Sequence, residues 1–308
     1  MFASPGQPLV WPGQFVFGYP SQDALVPDLA GADKTARPDW ARNGSFLVYR
    51  RLRQNVHGFR TFLATMAAEI ATKPGFADMT ADRLAAQLVG RWPSGAPVLR
   101  SPLVDDEAAG ADSKANNHFT FDQPAPPIRL IVDGQPETVP GAPGDFDGLI
   151  CTRANHIRKV NPRDLTTEQG NSSDVLTRRI LRRGIPFGKP LPKGTAPADD
   201  PERGDRGLLF LCYQTSIVDQ FEFLSDHWMN KVEAPEAGAG HDVLVGQNPS
   251  TAQQRVRRCT LQRMVDGQTL DATVSAPLDW IVPTGGGYFF APSISAIRDV
   301  LGSAAGPA

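Results

Sequence analysis

The stretch that decides the fold is GLLFLCYQTSIVDQFEFLSDHW, residues 207–228. Its first part, Gly207–Tyr213, is a nearly continuous apolar run, which is typical of a strand buried inside a sheet. Apolar side chains then recur three or four positions apart from Ile217 to Trp228. This spacing predicts an amphipathic helix directly after the strand.

The same alternation continues towards both ends of the chain. An apolar run from Gly44 to Leu52 predicts a buried strand, and the helical spacing of apolar residues from Val56 to Ile70 predicts a helix after it. The chain lacks a βαβ fingerprint, so we expect an antiparallel α+β fold. The remaining expected elements are a helix, two strands and a closing helix with Ser293 near its N-cap, at Ala81–Val89, Thr177–Arg182, Tyr288–Ala291 and Ser293–Leu301.

Three segments are rich in polar residues, glycine and proline and are expected to be irregular. They comprise residues 1–40, the long excursion 102–147, and 231–275, where we expect at most one helix. With 308 residues, the chain is long enough for one large domain or two of ordinary size.

Charge and the length of the apolar stretches argue against two kinds of partner, nucleic acids and membranes. The net charge is -2 and no basic run is interleaved with aromatic residues, so the sequence predicts no nucleic-acid binding. Apolar stretches stay well below the roughly 20 residues that span a bilayer, so it predicts no membrane segment.

The three cysteines, at 151, 212 and 259, are far apart and form no zinc-binding pair. An odd number of thiols is typical of a reducing compartment. The first residues lack the basic and apolar regions of a signal peptide, so we expect a cytoplasmic location.

His156 stands out among the five histidines. It lies in CTRANHIRKVNPRD, residues 151–164, among three arginines and one lysine. Cationic side chains beside a histidine suit an anionic group such as the propionates of haem. The residues alone leave a structural surface loop as the alternative. The other four, which we expect to be solvated, are His57, His118, His227 and His241.

Two motifs in the second half carry a resemblance. ANHIRKVNPR (154–163) is similar to the proximal-histidine motif of the DyP-type peroxidases, A-H-I-R-K-x-N-P-R, and ILRRGIPFG (180–188) resembles their distal-arginine motif. Further similar blocks follow the order of the family across nearly the whole chain, at 40–56, 89–97, 207–228 and 285–296.

The resemblance implies a haem iron ligated by His156. A neutral imidazole is a standard proximal ligand, and its other ring nitrogen usually donates to a carboxylate. The resemblance suggests Asp242 as that carboxylate; an ordinary turn aspartate is the alternative. Arg158 and Arg163 are expected to hold the propionates, since arginine binds carboxylates with two parallel hydrogen bonds. A solvated surface position is the rival interpretation, above all for Arg158.

On the opposite face of the haem, the resemblance implies Arg182 as the distal arginine. A fixed cation there stabilises the hydroxide that leaves when the peroxide bond breaks. Its neighbour Arg183 is the runner-up. Leu208 and Phe210 match positions that line the haem pocket, which is compatible with an ordinary place in the core.

The family also has a G-x-x-D-G motif with a distal aspartate, which in relatives shortly precedes a segment like Pro12–Pro20. The string does occur at Gly144–Gly148, but so close to His156 that we interpret it as a coincidence and give Asp147 no catalytic role. We therefore expect a chain that lacks the N-terminal half of the family, and an impaired peroxidase.

The resemblance implies a ferredoxin-like antiparallel sheet with packed helices. We expect residues 1–115 to be a remnant of the N-terminal and middle region and 116–308 to form the haem-binding domain. The expected function is oxidation of dyes and of phenolic or other small aromatic reductants by hydrogen peroxide, with haem b as cofactor. The alternatives are a non-catalytic haem-binding fragment and a remnant that binds nothing. Whether the chain forms homo-oligomers is left open.

Overall fold

The computed structural model describes residues 4–22, 37–202, 204–247 and 256–303. Within these ranges, no helix is long and apolar enough to cross a membrane. The helices are α1 (Val56–Ala71), α2 (Ala81–Val89), α3 (Glu107–Ala111), α4 (His156–Val160), α5 (Ser172–Leu176), a wider π-wound helix (Ile217–Met229) and α6 (Ile294–Ala296), which continues as a π-wound turn (Ile297–Leu301). The strands are β1 (Ser45–Gln54), β2 (Ile128–Val132), β3 (Gln135–Val139), β4 (Leu181–Phe187), β5 (Gly207–Gln214), β6 (Arg257–Val265), β7 (Gln268–Ala276) and β8 (Ile281–Ala291).

The chain divides into two compact units that are each discontinuous in sequence. We call the first the histidine unit; it consists of Met1–Leu9, Val56–Ser172 and Ser225–Trp280. The second, the sheet unit, consists of Val10–Asn55, Ser173–Leu224 and Ile281–Ala308.

The sheet unit contains a four-stranded antiparallel sheet in the order β4-β5-β1-β8. The first and last strands along the chain, β1 and β8, are neighbours, and the consecutive strands β4 and β5 pair beside them. This is the order of a ferredoxin-like fold, in which helical connections join split strand pairs. The predicted α+β class is confirmed, and so is the placement of Gly207–Tyr213 and Tyr288–Ala291 in one sheet.

The domain boundary at residue 115 stays a prediction. The sheet takes its third strand in spatial order, β1, from residues 45–54, which we had expected in the N-terminal remnant.

The predicted strand Thr177–Arg182 is wrong in its bounds. The hydroxyl of Thr177 donates to the carbonyl of Asp174 at 2.6 Å, and the backbone N–H groups of residues 177–179 close a turn after α5. The chain becomes extended only at Leu181. Pro186, which cannot donate to a neighbouring strand, is tolerated because β4 lies at the edge of the sheet.

The expected irregular structure of residues 102–147 and 231–275 is wrong, because each segment contains a β-hairpin. The tetrapeptide VDGQ occurs twice, at 132–135 and 265–268. In both copies the aspartate and glycine have positive φ, at 50° and 77° in the β2–β3 turn and 51° and 77° in the β6–β7 turn. An Asp-Gly pair between alternating strands is a strong hairpin signal that the polarity of the segments concealed.

The excursion 102–147 also contributes to the core of the histidine unit. Phe119 and Phe121 are 2% and 0% exposed and pack with Leu99 and Leu165. The predicted helices are confirmed, because apolar periodicity and capping residues indicate the same bounds in these segments. Thr80 caps α2 by accepting from the amide of Arg83, and Ser293 caps the closing helix, as predicted.

Candidate functional site

His156 is held by its own helix and by the end of a neighbouring one. It is the first residue of α4, and the preceding Asn155 caps that helix by accepting from the amide of Arg158. The side-chain amide of Asn155 also donates to the carbonyl of Gln87 in α2 at 2.8 Å. Gly90, which ends α2 at φ +103°, lies so close that a Cβ there would be 2.5 Å from Oδ1 of Asn155. A side chain at position 90 would clash with Asn155, so glycine is required where the end of α2 meets the start of α4.

The structure brings His156 and Asp242 together. Nδ1 of His156 lies 2.7 Å from Oδ2 of Asp242, although the two residues are 86 positions apart. Oδ1 of Asp242 accepts from the amides of Leu244 and Val245 at 3.0 and 3.1 Å. Asp242 is thus both the expected histidine partner and a turn aspartate, and the two interpretations are compatible.

This pair leaves one ring nitrogen for a ligand. An ionised carboxylate only accepts hydrogen bonds, so Asp242 fixes the imidazole with its proton on Nδ1. Nε2 then carries the lone pair, and it has no hydrogen-bond partner among the described residues. The histidine side chain keeps 30% of its surface exposed, whereas Asp242 keeps none. A metal-ligating histidine usually donates its other ring N–H to a carboxylate in this way.

Arg158 does not lie on a solvated surface, because it is fully buried. Its Nε and Nη2 each donate to a carboxylate oxygen of Glu236 at 2.8 Å. The other N–H groups point to the carbonyls of Asp145, Phe146 and Cys151. The protein itself thus occupies the guanidinium donors, and the geometry favours a structural role over the expected contact with a propionate.

Arg163 likewise makes its hydrogen bonds to the protein itself, elsewhere in the histidine unit. Its guanidinium donates to the carbonyl of Phe119 at 2.9 Å and to Oδ1 of Asn117 at 2.7 Å, and it lies 3.7 Å from the centre of the Phe119 ring. A further bond reaches Gly6. These contacts also favour a structural role.

Arg182, Leu208 and Phe210 lie on one face of the sheet in the sheet unit. In an antiparallel pair, directly opposed residues share a face and successive residues alternate. Arg182 is opposite Cys212, Gly184 is opposite Phe210, and Pro186 is opposite Leu208.

The runner-up Arg183 is opposite Leu211 and therefore belongs to the other face. The register thus groups Arg182, and not Arg183, with the two apolar residues. The side chain of Arg182 is exposed to solvent.

Leu208 and Phe210 are only half-buried. The ring of Phe210 packs 6.1 Å from that of Phe221 in the π-wound helix. A Cβ at Gly184 would lie 2.8 Å from a methyl carbon of Leu208, so the glycine leaves room for that side chain.

The coincidental motif Gly144–Gly148 has a local structural explanation. Asp145 is buried and accepts from the amides of Ile150 and Cys151 at 3.1 and 2.7 Å, which closes the loop. Asp147 has 68% of its side chain exposed and lies 3.7 Å from Arg153. Asp145 thus closes a loop and Asp147 forms an exposed ion pair. Neither carboxylate needs a catalytic role to explain its position.

Two buried cations near Asp242 were not singled out from the sequence. Lys159 and Arg257 are 0% and 1% exposed, and both bind carbonyls of the segment that contains Asp242. Lys159 lies in the HIRK motif, and this position could have identified it as a site residue. No sequence motif marks Arg257, whose segment was expected to be irregular.

Comparison with known proteins places the chain beside one family. Residues 144–237 match the family model "Dyp-type peroxidase, C-terminal". The chain is 32% identical over 302 residues to dye-decolorizing peroxidase msp1 of Mycetinis scorodonius, covering 96% of this chain and 52% of that protein. It is 36% identical over 308 residues to a dye-decolorizing peroxidase of Mycena epipterygia, covering 96% and 53%.

A solved structure agrees with these relatives. The crystal structure of a fungal DyP-type peroxidase from Auricularia auricula-judae matches with a TM-score of 0.69 and 32% identity, over 96% of this chain and 59% of that one. The chain spans about half the length of the curated relatives that it matches.

Proposed function

We propose that this chain belongs to the DyP-type peroxidase family, binds haem b through His156 and uses hydrogen peroxide to oxidise dyes and phenolic or other small aromatic donors. The observation that carries the proposal is the 2.7 Å pair of His156 with the buried Asp242. His156 lies within residues 144–237, the segment that matches the family model.

The residues present fit a haem iron. A proximal ligand needs a neutral imidazole with one accessible nitrogen, and Nε2 of His156 meets that condition. The donation from Nδ1 to Asp242 raises the basicity of Nε2 and fixes the orientation of the ring. When bound, haem supplies the iron centre at which peroxide accepts electrons and the aromatic donor loses them.

Arg182 is proposed to act on the departing oxygen of the peroxide. Its guanidinium offers several N–H donors in a fixed plane. A fixed donor of this kind stabilises negative charge as it develops. A guanidinium cannot accept the peroxide proton, so the proposed role of Arg182 is confined to stabilising negative charge.

Leu208 and Phe210 share the face of Arg182 and are proposed to line the haem pocket. In a haem-loaded pocket their apolar side chains would limit the water around the cation. An electrostatic interaction is stronger where water is excluded, so these two residues would increase the effect of Arg182 on the peroxide oxygen.

The test has two stages, both on the chain as it stands. Haem titration, followed by its absorption band, should reach one haem per chain in the wild type. Peroxide-dependent oxidation of a reducing dye should then exceed that of free haem at the same concentration.

Stoichiometric haem binding without turnover would support the alternative of a haem-binding chain without peroxidase activity. Absence of stoichiometric binding would contradict the proposal. The matched control is His241→Ala, because that half-buried loop histidine contacts the carbonyl of Arg258 and not Asp242.

A further inference from the structure

The turn that carries Asp242 is anchored on both sides by buried cations. On the N-terminal side, Nζ of Lys159 donates to the carbonyls of Lys231, Ala234 and Gly240 at 2.9, 2.5 and 2.7 Å. Three acceptors need three N–H groups, which only the protonated ammonium provides. Lys159 therefore ties segment 231–240 to α4, the helix that begins with His156.

On the C-terminal side, the anchor is Arg257 at the start of β6. Its Nη1 donates to the carbonyls of Val243 and Gly246 at 3.0 and 2.9 Å. Its Nη2 donates to the carbonyl of Leu278, and Asp279 lies 3.6 Å away. Arg257 thus fixes the turn 243–246, whose amides bind Oδ1 of Asp242.

We infer that Lys159 and Arg257 are positioning residues that hold Asp242 against Nδ1 of His156. Neither cation touches the imidazole. Each acts through the backbone on one side of Asp242 and through its positive charge. The inference rests on the proposed function only where it concerns iron, because the geometry that it explains is that of the His156–Asp242 pair itself.

Electrostatics supports this assignment. A fully buried carboxylate is costly unless charge and hydrogen bonds compensate it, and a neutral, metal-ligating imidazole supplies no positive charge. Lys159 and Arg257 do supply it, since the charge of Asp242 acts on both groups. The other anionic groups that act on Lys159 are Glu236 and Glu168.

Loss of stability alone does not identify this role. Burial lowers the pKa of Lys159 to about 8 and lowers the pKa of Arg257. Replacing either cation with an apolar residue leaves buried carbonyl acceptors unsatisfied, which lowers stability whether or not the cation also positions Asp242. Ammonium and guanidinium groups aimed at the carbonyls around one carboxylate point to a requirement for geometry and charge at Asp242.

The decisive experiment uses the haem-free chain labelled with ¹⁵N-histidine. In the wild type, NMR should show a slowly exchanging, downfield Nδ1–H proton for His156, assigned by its loss in His156→Ala. In Lys159→Met and Arg257→Met, this signal should broaden or disappear, and the ring should shift towards the Nε2–H tautomer.

The control is Arg91→Met in the same unit. Arg91 donates to the carbonyls of Gly95 and Asn116 at 2.6 and 2.9 Å, so its loss also removes a loop anchor, but one outside the segments 231–240 and 243–246 that flank Asp242. This variant should keep the Nδ1–H signal even if its melting temperature falls. An unchanged signal in both Lys159→Met and Arg257→Met would overturn the inference.

Two milder variants decide the question if a methionine variant does not fold. Arg257→Lys keeps the charge and should retain the signal, whereas Lys159→Gln keeps a donor but loses the charge and should exchange the Nδ1 proton faster. The reverse order would overturn the inference. We expect the haem affinity of Lys159→Met to fall about 10–100-fold, as when other groups that orient a metal-ligating histidine are lost. If the wild type binds no haem, the proposed function fails while the NMR comparison still stands.

Discussion

Replacing Asp242 with asparagine tests the geometry behind His156. The asparagine oxygen can still accept from the amides of Leu244 and Val245, but its NH₂ group then faces Nδ1 of the imidazole. The substitution therefore removes one charge-assisted hydrogen bond in a site that is 0% exposed. It also leaves Lys159 and Arg257 without their shared counter-charge.

The magnitude follows from these losses. A hydrogen bond to a charged group contributes about 1.5–3 kcal/mol, so we expect Asp242→Asn to lower the free energy of unfolding by about 2–3 kcal/mol. Urea unfolding is measurable through tryptophan fluorescence, because Trp228 and Trp280 of the same unit are 0% and 2% exposed. Histidine NMR should show the proton of His156 moving from Nδ1 to Nε2.

The matched control is Asp145→Asn. Asp145 is similarly buried and closes a turn by accepting two amides, but it does not contact a histidine. It should lower stability and leave the His156 tautomer unchanged. The reasoning is refuted if Asp242→Asn keeps the Nδ1–H signal, or if it changes the free energy of unfolding by less than about 0.5 kcal/mol, the range of ordinary surface substitutions.

Three further predictions concern Arg182, Lys159 and the cysteines. Arg182→Leu should slow peroxide turnover of the haem-loaded chain about 10²–10³-fold, as does loss of other oxyanion donors, whereas Arg183→Leu on the opposite face should change it little. Because burial lowers the pKa of Lys159 from 10.5 to about 8, the folded chain releases this proton first. The stability of the wild type relative to Lys159→Met should therefore rise with pH across that window, by at most about 3 kcal/mol in urea titrations; a falling difference would contradict the sign. Burial raises the pKa of all three cysteine thiols to about 12, so a thiol reagent at pH 8 should label none in the native chain and three after denaturation; rapid native labelling would contradict their burial.

The fold could be predicted where a local pattern and the tertiary structure agree. The apolar run of β5 and the helical spacing of α1 are visible in the sequence, because one face of each element is buried. The VDGQ hairpins were missed because their polar flanks suggested loops, although Asp-Gly is itself a turn signal. The start of β4 was misplaced because nothing local marks where the turn after α5 ends.

The residues of the candidate site were likewise only partly predictable from the sequence. His156 and Arg182 lie in motifs that the chain displays directly. The distinction between Arg182 and Arg183 depends on the register of β4 against β5, which only the folded sheet determines. The structural ties of Arg158 and the anchoring role of Arg257 depend on partners more than ten residues away, which composition and spacing do not reveal.

The most direct test of the central claim is the absorption spectrum of the haem-loaded chain in His156→Ala and His241→Ala. We predict that His156→Ala loses the spectrum of histidine-ligated ferric haem and regains it when imidazole is added, while His241→Ala keeps the wild-type spectrum. Retention of that spectrum in His156→Ala, or its loss in His241→Ala alone, would contradict the assignment of His156 as the iron ligand.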